Sequence, residues 1–145
     1  MTYSFSKGVV MPRSRQSQIS LDETPYYHAC SRIVRKSWLC GIDKNTGKSY
    51  EHRREWVEQR LLMLANIYSI DVCAFAVMSN HTHIVLHVDV KQAESWSMTE
   101  VLTRWHQLYK GTLLTQNFLK GESQLSIEVE MVKSTAEIYR SRLRY

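Results

Sequence analysis

Apolar positions along this chain change their spacing several times, and each change marks an element. Through residue 20 there is no clear period and few apolar anchors, so this stretch reads as an N-terminal arm. Over residues 26–34 (YYHACSRIV) the aromatic and β-branched content favours a strand, entered at Pro25, where a missing N–H is tolerated. Residues 36–48, with Asp43, Asn45 and Gly47, form a loop containing a turn. A helical period then runs over 50–68. Val57, Leu61, Leu64 and Tyr68 make one stripe, Arg53, Arg54, Glu58 and Arg60 lie outside it, and Ser49 is the expected N-cap. Two short apolar runs, Ile70–Val77 and His81–Val88, flank the turn-forming Met78-Ser79-Asn80 and predict a β-hairpin. Beyond Asp89, Val101, Trp105, Leu108 and Leu113 return to helical spacing, which Gly121 stops. A last helix over 127–143 carries Val129, Val132, Ala136, Tyr139 and Leu143 on one stripe.

The order β, α, β, β, α, α defines an α+β chain: a ferredoxin-like split βαβ unit with an antiparallel sheet and helices on one face. The expected order does not include such a unit's final strand, and residues 91–144 read as an added helical segment. The chain's 145 residues suit a single domain. The expected organisation is a basic arm over 1–20 and one domain over 21–145, with a core at 21–90 and the helical part at 91–145. Neither an internal repeat nor a low-complexity segment interrupts it.

Composition narrows the class. Hydrophobic residues at 43% and charged residues at 23% are ordinary for a folded globular chain and exclude a disordered one. A net charge of +5 favours polyanionic partners, and it is unevenly placed: no Asp or Glu precedes Asp22, whereas Lys7, Arg13 and Arg15 do. Cys30, Cys40 and Cys73 are odd in number and lack a CxxC spacing, which argues against a disulfide framework and for a cytoplasmic setting. No apolar run approaches a membrane span, so no membrane partner is expected.

The candidate chemistry lies in VMSNHTHIVLH, residues 77–87. Side chains alternate across a strand, so His81, His83, Val85 and His87 share one face while Thr82, Ile84, Leu86 and Val88 share the apolar other. Two imidazoles two residues apart, about 7 Å between Cα atoms, can converge on one cation; His87, about 13 Å from His83, is too distant to join easily. A half-solvated face of hydrogen-bonded imidazoles is the competing explanation. His28 could reach the same face across the sheet or serve structurally.

The stretch AFAVMSNHTHIVLHV resembles the HUH motif of single-strand DNA transposases, the insertion-sequence and REP-associated tyrosine transposase superfamily, whose members usually read M-P-N-H-x-H followed by aliphatics. TPYYHACSR resembles that family's opening strand; the resemblance spans about residues 20–88 and implies that residues 91–144 are an insertion. Ser79 replaces the usual proline and Thr82 fills a slot named for a hydrophobic residue; neither change removes a ligand. The resemblance implies a divalent metal, Mg²⁺ or Mn²⁺, held by His81 and His83 beside a DNA phosphate. It further implies single-stranded or hairpin DNA as substrate, a homodimer, and a tyrosine hydroxyl that attacks a phosphodiester.

Related enzymes carry that tyrosine on a later helix with a polar ligand one turn on. Among the eight tyrosines only Tyr26 has a metal-capable residue four positions on, Cys30, and that pair precedes the motif on a strand. Tyr139, beside Arg140 and Arg142, is the nearest to a catalytic candidate, although packing in an amphipathic helix accounts for it better. The expectation is therefore a truncated member, whose last strand and nucleophile-bearing helix lie beyond Tyr145, that does not cleave DNA alone. Candidate phosphate contacts are Arg13, Arg15, Arg32, Arg35, Lys36, Arg53 and Arg54, and Trp38, Trp56, Trp96 and Trp105 are candidates for base stacking. Two other classes remain: a non-catalytic DNA- or RNA-binding module, and a metal-dependent hydrolase, which lacks an obvious general base because no Asp or Glu lies between Asp71 and Asp89.

Overall fold

A computed structural model describes residues 18–33, 38–122 and 125–144. Its elements run β1 (Tyr26–Arg32), α1 (His52–Ile67), β2 (Ile70–Val77), β3 (His81–Val88), α2 (Val90–Ser95), α3 (Met98–His106), α4 (Leu113–Leu119) and α5 (Ser126–Leu143). The architecture is α+β. The three strands form one antiparallel sheet in the order β1-β3-β2, which is a split βαβ arrangement: α1 carries the chain from β1 over to β2, and β3 returns between them. Among the described residues β1 pairs on one edge only, with β3.

Register explains why the sheet has two unlike faces. Tyr27 pairs with Leu86 and Ala29 with Ile84, and with Val88 these residues line a groove beneath α1 that also takes in Leu61, Leu64, Tyr68 and Ile70. Three of the four residues of the expected stripe, Leu61, Leu64 and Tyr68, therefore face the sheet. On the opposite face Tyr26 pairs with His87, His28 with Val85, Cys30 with His83 and Arg32 with His81. No helix among the described residues lines the cavity on that face.

The helix limits differ from the expected ones for reasons of capping. Ser49 is not the N-cap of α1: Glu51 is, in helical conformation, and the Ser49 hydroxyl accepts from its backbone N–H at 3.4 Å. Where one long helix was expected between Asp89 and Gly121, there are three. Asp89 caps α2 by accepting from the Gln92 N–H, Ser97 caps α3 by accepting from Glu100, and Thr112 caps α4 in a reciprocal capping box with Thr115. Gly111, at φ +69°, makes the bend between α3 and α4.

The main core sits in this helical part rather than on the sheet. Ile67, Ala93, Trp96, Val101, Leu102, Trp105, Val132, Ala136, Tyr139 and Leu143 form one buried cluster. Trp105 and Tyr139 stack at 4.2 Å with planes 10° apart. Polar ties fix the cluster to the sheet. Ser69, wholly buried, donates its N–H to the Leu143 carbonyl at 3.0 Å and its hydroxyl to that of Arg144 at 3.1 Å, while its own carbonyl accepts from Asp89 N–H at 2.9 Å. Arg140 donates to the carbonyls of Ala93 and Trp96 at 2.7 and 2.6 Å, holding the end of α2 against α5.

Candidate metal centre

β3 is the central strand and presents its odd-numbered residues to the open face, as its alternation requires. The nearest neighbours of His83 are not along its own strand. Residues directly opposite in a sheet stand about 4.5–5.5 Å apart between Cβ atoms, closer than the roughly 7 Å between alternate residues of one strand. Cys30 is the residue opposite His83, and His28 lies one same-face position further along β1. The His83 Nδ1 consequently lies 3.1 Å from Cys30 Sγ and 2.9 Å from His28 Nε2, with Cys30 Sγ 3.4 Å from His28 Nε2. The His28 and His83 rings stack at 5.1 Å, 22° apart. These three side chains form a group able to hold a metal ion, their ligand atoms all within 4.8 Å of one another; His28 and Cys30 are exposed and His83 half-buried.

His81 stands beside this group rather than in it. Its ring meets that of His83 edge-on, 5.0 Å between centroids and 84° between planes. Its Nδ1 is 2.6 Å from Asn80 Oδ1, a hydrogen bond that fixes the ring and leaves Nε2 for another partner. The expected His81–His83 pair is thus present on one face, but the convergent donor set substitutes His28 and Cys30 for His81. A cavity of about 420 Å³, lined by Cys30, Ser31, Arg32, Asn80, His81 and His83, opens beside both. His87 takes no part: its Nδ1 is 2.9 Å from an Asp71 carboxylate oxygen, and its ring packs at 4.9 Å from that of Tyr26.

The basic candidates divide sharply. Arg32 is exposed, pairs in register with His81 and lines the cavity. Arg54 is committed elsewhere, to the Glu51 carboxylate and the carbonyl of Val77, and its hydrogen bond holds the Glu51 carboxyl below its usual pKa. Arg53 donates to the Trp38 carbonyl at 3.2 Å and lies over the Tyr50 ring at 4.4 Å. Both arginines therefore tie the loop and hairpin end to α1. Arg13, Arg15, Arg35 and Lys36 lie outside the described residues.

Tyr139 packs as its place in an amphipathic helix leads one to expect. At 7% exposure and stacked on Trp105, its ring belongs to the helical core, where the amphipathic stripe of α5 requires an apolar body. Trp96 and Trp105 are buried in that same core and are not free for bases, whereas Trp56 is exposed, with His52 edge-on to its ring at 5.0 Å. The cysteines are all free: Cys30 and Cys73 exposed, and Cys40 buried, donating to the Met78 carbonyl at 3.2 Å with burial pushing its pKa up. The place of Cys30 beside His83 was missed in the sequence because alternation sorts residues only within one strand. The signal that finds it is the pairing of His28-Ala29-Cys30 with His83-Ile84-Val85, which needs the sheet register.

Fold and site together define a class: an α+β protein of split βαβ arrangement whose open sheet face carries a His–Cys–His group able to hold a metal. Comparison with protein-family models, with curated proteins and with solved structures finds no match to this chain. Among the described residues no helix is long and apolar enough to cross a membrane.

Proposed function

We propose that the chain is an HUH-type DNA strand transferase, or a fragment of one, that binds single-stranded or hairpin DNA on the open face of its sheet. The observation that carries this reading is the placement of His81, His83 and Arg32 around one solvent-open cavity on the central strand and its neighbour. The two imidazoles offer nitrogen donors to a divalent cation, which the resemblance alone makes Mg²⁺ or Mn²⁺, with His81 offering Nε2 while Asn80 holds its other nitrogen. When bound, such a cation neutralises charge developing on a phosphodiester. Arg32 supplies the second positive group, a planar guanidinium suited to paired phosphate oxygens. His83 and His81 orient the phosphate; Asn80 keeps the His81 ring from turning. The molecule works as a homodimer in the cytoplasm in this reading.

The test is DNA binding with a labelled hairpin oligonucleotide at several salt concentrations, with and without Mn²⁺. Wild type should bind more tightly with Mn²⁺, and the His81→Ala, His83→Ala double variant should lose that increment. Arg32→Ala should weaken binding across sequences and lower the salt slope by about one. Equal, metal-independent binding by wild type and double variant would instead favour a non-catalytic DNA- or RNA-binding module. The burial of Tyr139 is the specific observation on that side. Absence of DNA binding under all conditions would refute both.

A further inference from the structure

We propose that His28, Cys30 and His83 bind one zinc-class cation through two imidazoles and a thiolate, leaving a fourth position open to the cavity beside Arg32 and Asn80 for an anionic oxygen. This rests on the proposed function only in assigning a cation to the open face; the ion and two of its three ligands are different.

Distances carry the first part. A tetrahedral zinc ion with Zn–N about 2.0–2.1 Å and Zn–S about 2.3 Å separates its donors by roughly 3.3–3.6 Å. The three donors here stand 2.9, 3.1 and 3.4 Å apart, so a few tenths of an ångström of ring opening admits the ion. No backbone movement is needed, because Cys30 and His83 are already registered opposite one another. Donor chemistry carries the second part. A thiolate with two imidazoles selects soft and borderline ions, whereas Mg²⁺ requires near-octahedral oxygen ligation. On binding, the Cys30 S–H bond breaks, its proton leaves to solvent and a sulfur–metal bond forms.

The count of donors carries the third. Structural zinc sites are closed by four protein ligands, while sites with three keep a position for water or substrate. Within the described residues the group contains three. His83 and Cys30 also line the cavity that Arg32 and Asn80 border, so the vacant direction faces a cationic side chain and a polar amide. An anionic oxygen, such as one of a phosphate, is the complementary ligand.

Cobalt(II) titration of the full chain tests this. Wild type should develop a thiolate-to-cobalt charge-transfer band in the near ultraviolet and intense visible bands of a tetrahedral ion, both abolished by Zn²⁺. Cys30→Ser should lose the charge-transfer band, and it and His28→Ala should weaken binding by at least about a hundredfold, more than loss of an outer-shell partner costs. Circular dichroism checks that each variant folds, and His28→Ala serves should Cys30→Ser not. Cys73→Ser should leave the spectrum unchanged. Inorganic phosphate should perturb the visible bands of wild type, and less so in Arg32→Ala. His81→Ala should keep the cobalt spectrum while losing Mn²⁺-dependent hairpin binding, which separates this site from the one in the proposed function. A wild-type spectrum without the charge-transfer band, or a band that survives Cys30→Ser, overturns the site; visible bands indifferent to phosphate overturn its open position.

Discussion

His106 shows how one side chain ties stability to pH. Its Nε2 lies 3.0 Å from the Thr115 hydroxyl, between α3 and α4, and burial holds its pKa below the ordinary imidazole value against a backbone hydrogen bond at Lys110 that raises it. An unfolded histidine titrates near about 6.5. Between that value and the lower folded one, the unfolded state binds more protons, so stability rises with pH through this window. The contribution is complete above the unfolded value and is lost as pH falls through the folded one. Urea denaturation of wild type should thus lose more on going from about pH 7.5 to about pH 5.5 than that of His106→Gln; an equal loss would show that His106 is not the sensing group. At this scale the sequence was only half legible. His83 was found because alternation along a single strand places it on the open face. Cys30 was not, since its meeting with His83 depends on which β1 residue falls opposite, a long-range fact. The partners of Arg53 and Arg54 were hidden for a related reason: a charged residue looks solvated in sequence, and only the fold reveals the carbonyls of Trp38 and Val77 that accept from these guanidinium groups.

Among elements, the junction of α3 and α4 is the most demanding. Gly111 adopts φ +69°, and a Cβ there would come 2.4 Å from His106 Cε1 and 3.0 Å from Thr115 Oγ1. Left-handed backbone costs a residue with a side chain about 1–2 kcal/mol before any clash is counted. Gly111→Ala should therefore destabilise the protein by about 2 kcal/mol or more, read as a lowered urea midpoint at unchanged slope. Thr112→Ala, which removes the capping box, should cost about 1 kcal/mol in the same measurement. The strands and the hairpin turn followed from local composition and turn residues, and four of the five residues of the expected α5 stripe, Val132, Ala136, Tyr139 and Leu143, are buried as its period requires, while Val129 is half-buried. The breaks between α2, α3 and α4 did not, because the residues of one apolar stripe keep their spacing across a short bend. Their evidence was local, in Ser97 and Thr112, hydroxyl residues preceding new helical turns.

For the whole molecule, the separation between core and site matters most. The buried cluster belongs to α2, α3, α5 and the end of α1, whereas β1 is exposed at six of its seven residues. Leu143, fully buried where α5 docks against Ser69, should cost about 2–5 kcal/mol as Leu143→Ala. Hydrogen exchange should find the amides of α3 and α5 among the slowest and those of β1 among the fastest, since opening an outer strand uncovers little apolar surface. Uniform protection across both would show that sheet and helices open as one unit.

The pairing of Cys30 with His83 also guards strand alignment. Sliding β1 by one residue would carry Tyr26, Cys30 and Arg32 to the α1 side of the sheet and turn Tyr27, the half-buried residue of the strand, outward. The same alternation that gathers the two imidazoles and the thiol on one side makes every misaligned sheet a worse fit, so correct threading and an assembled site arrive together.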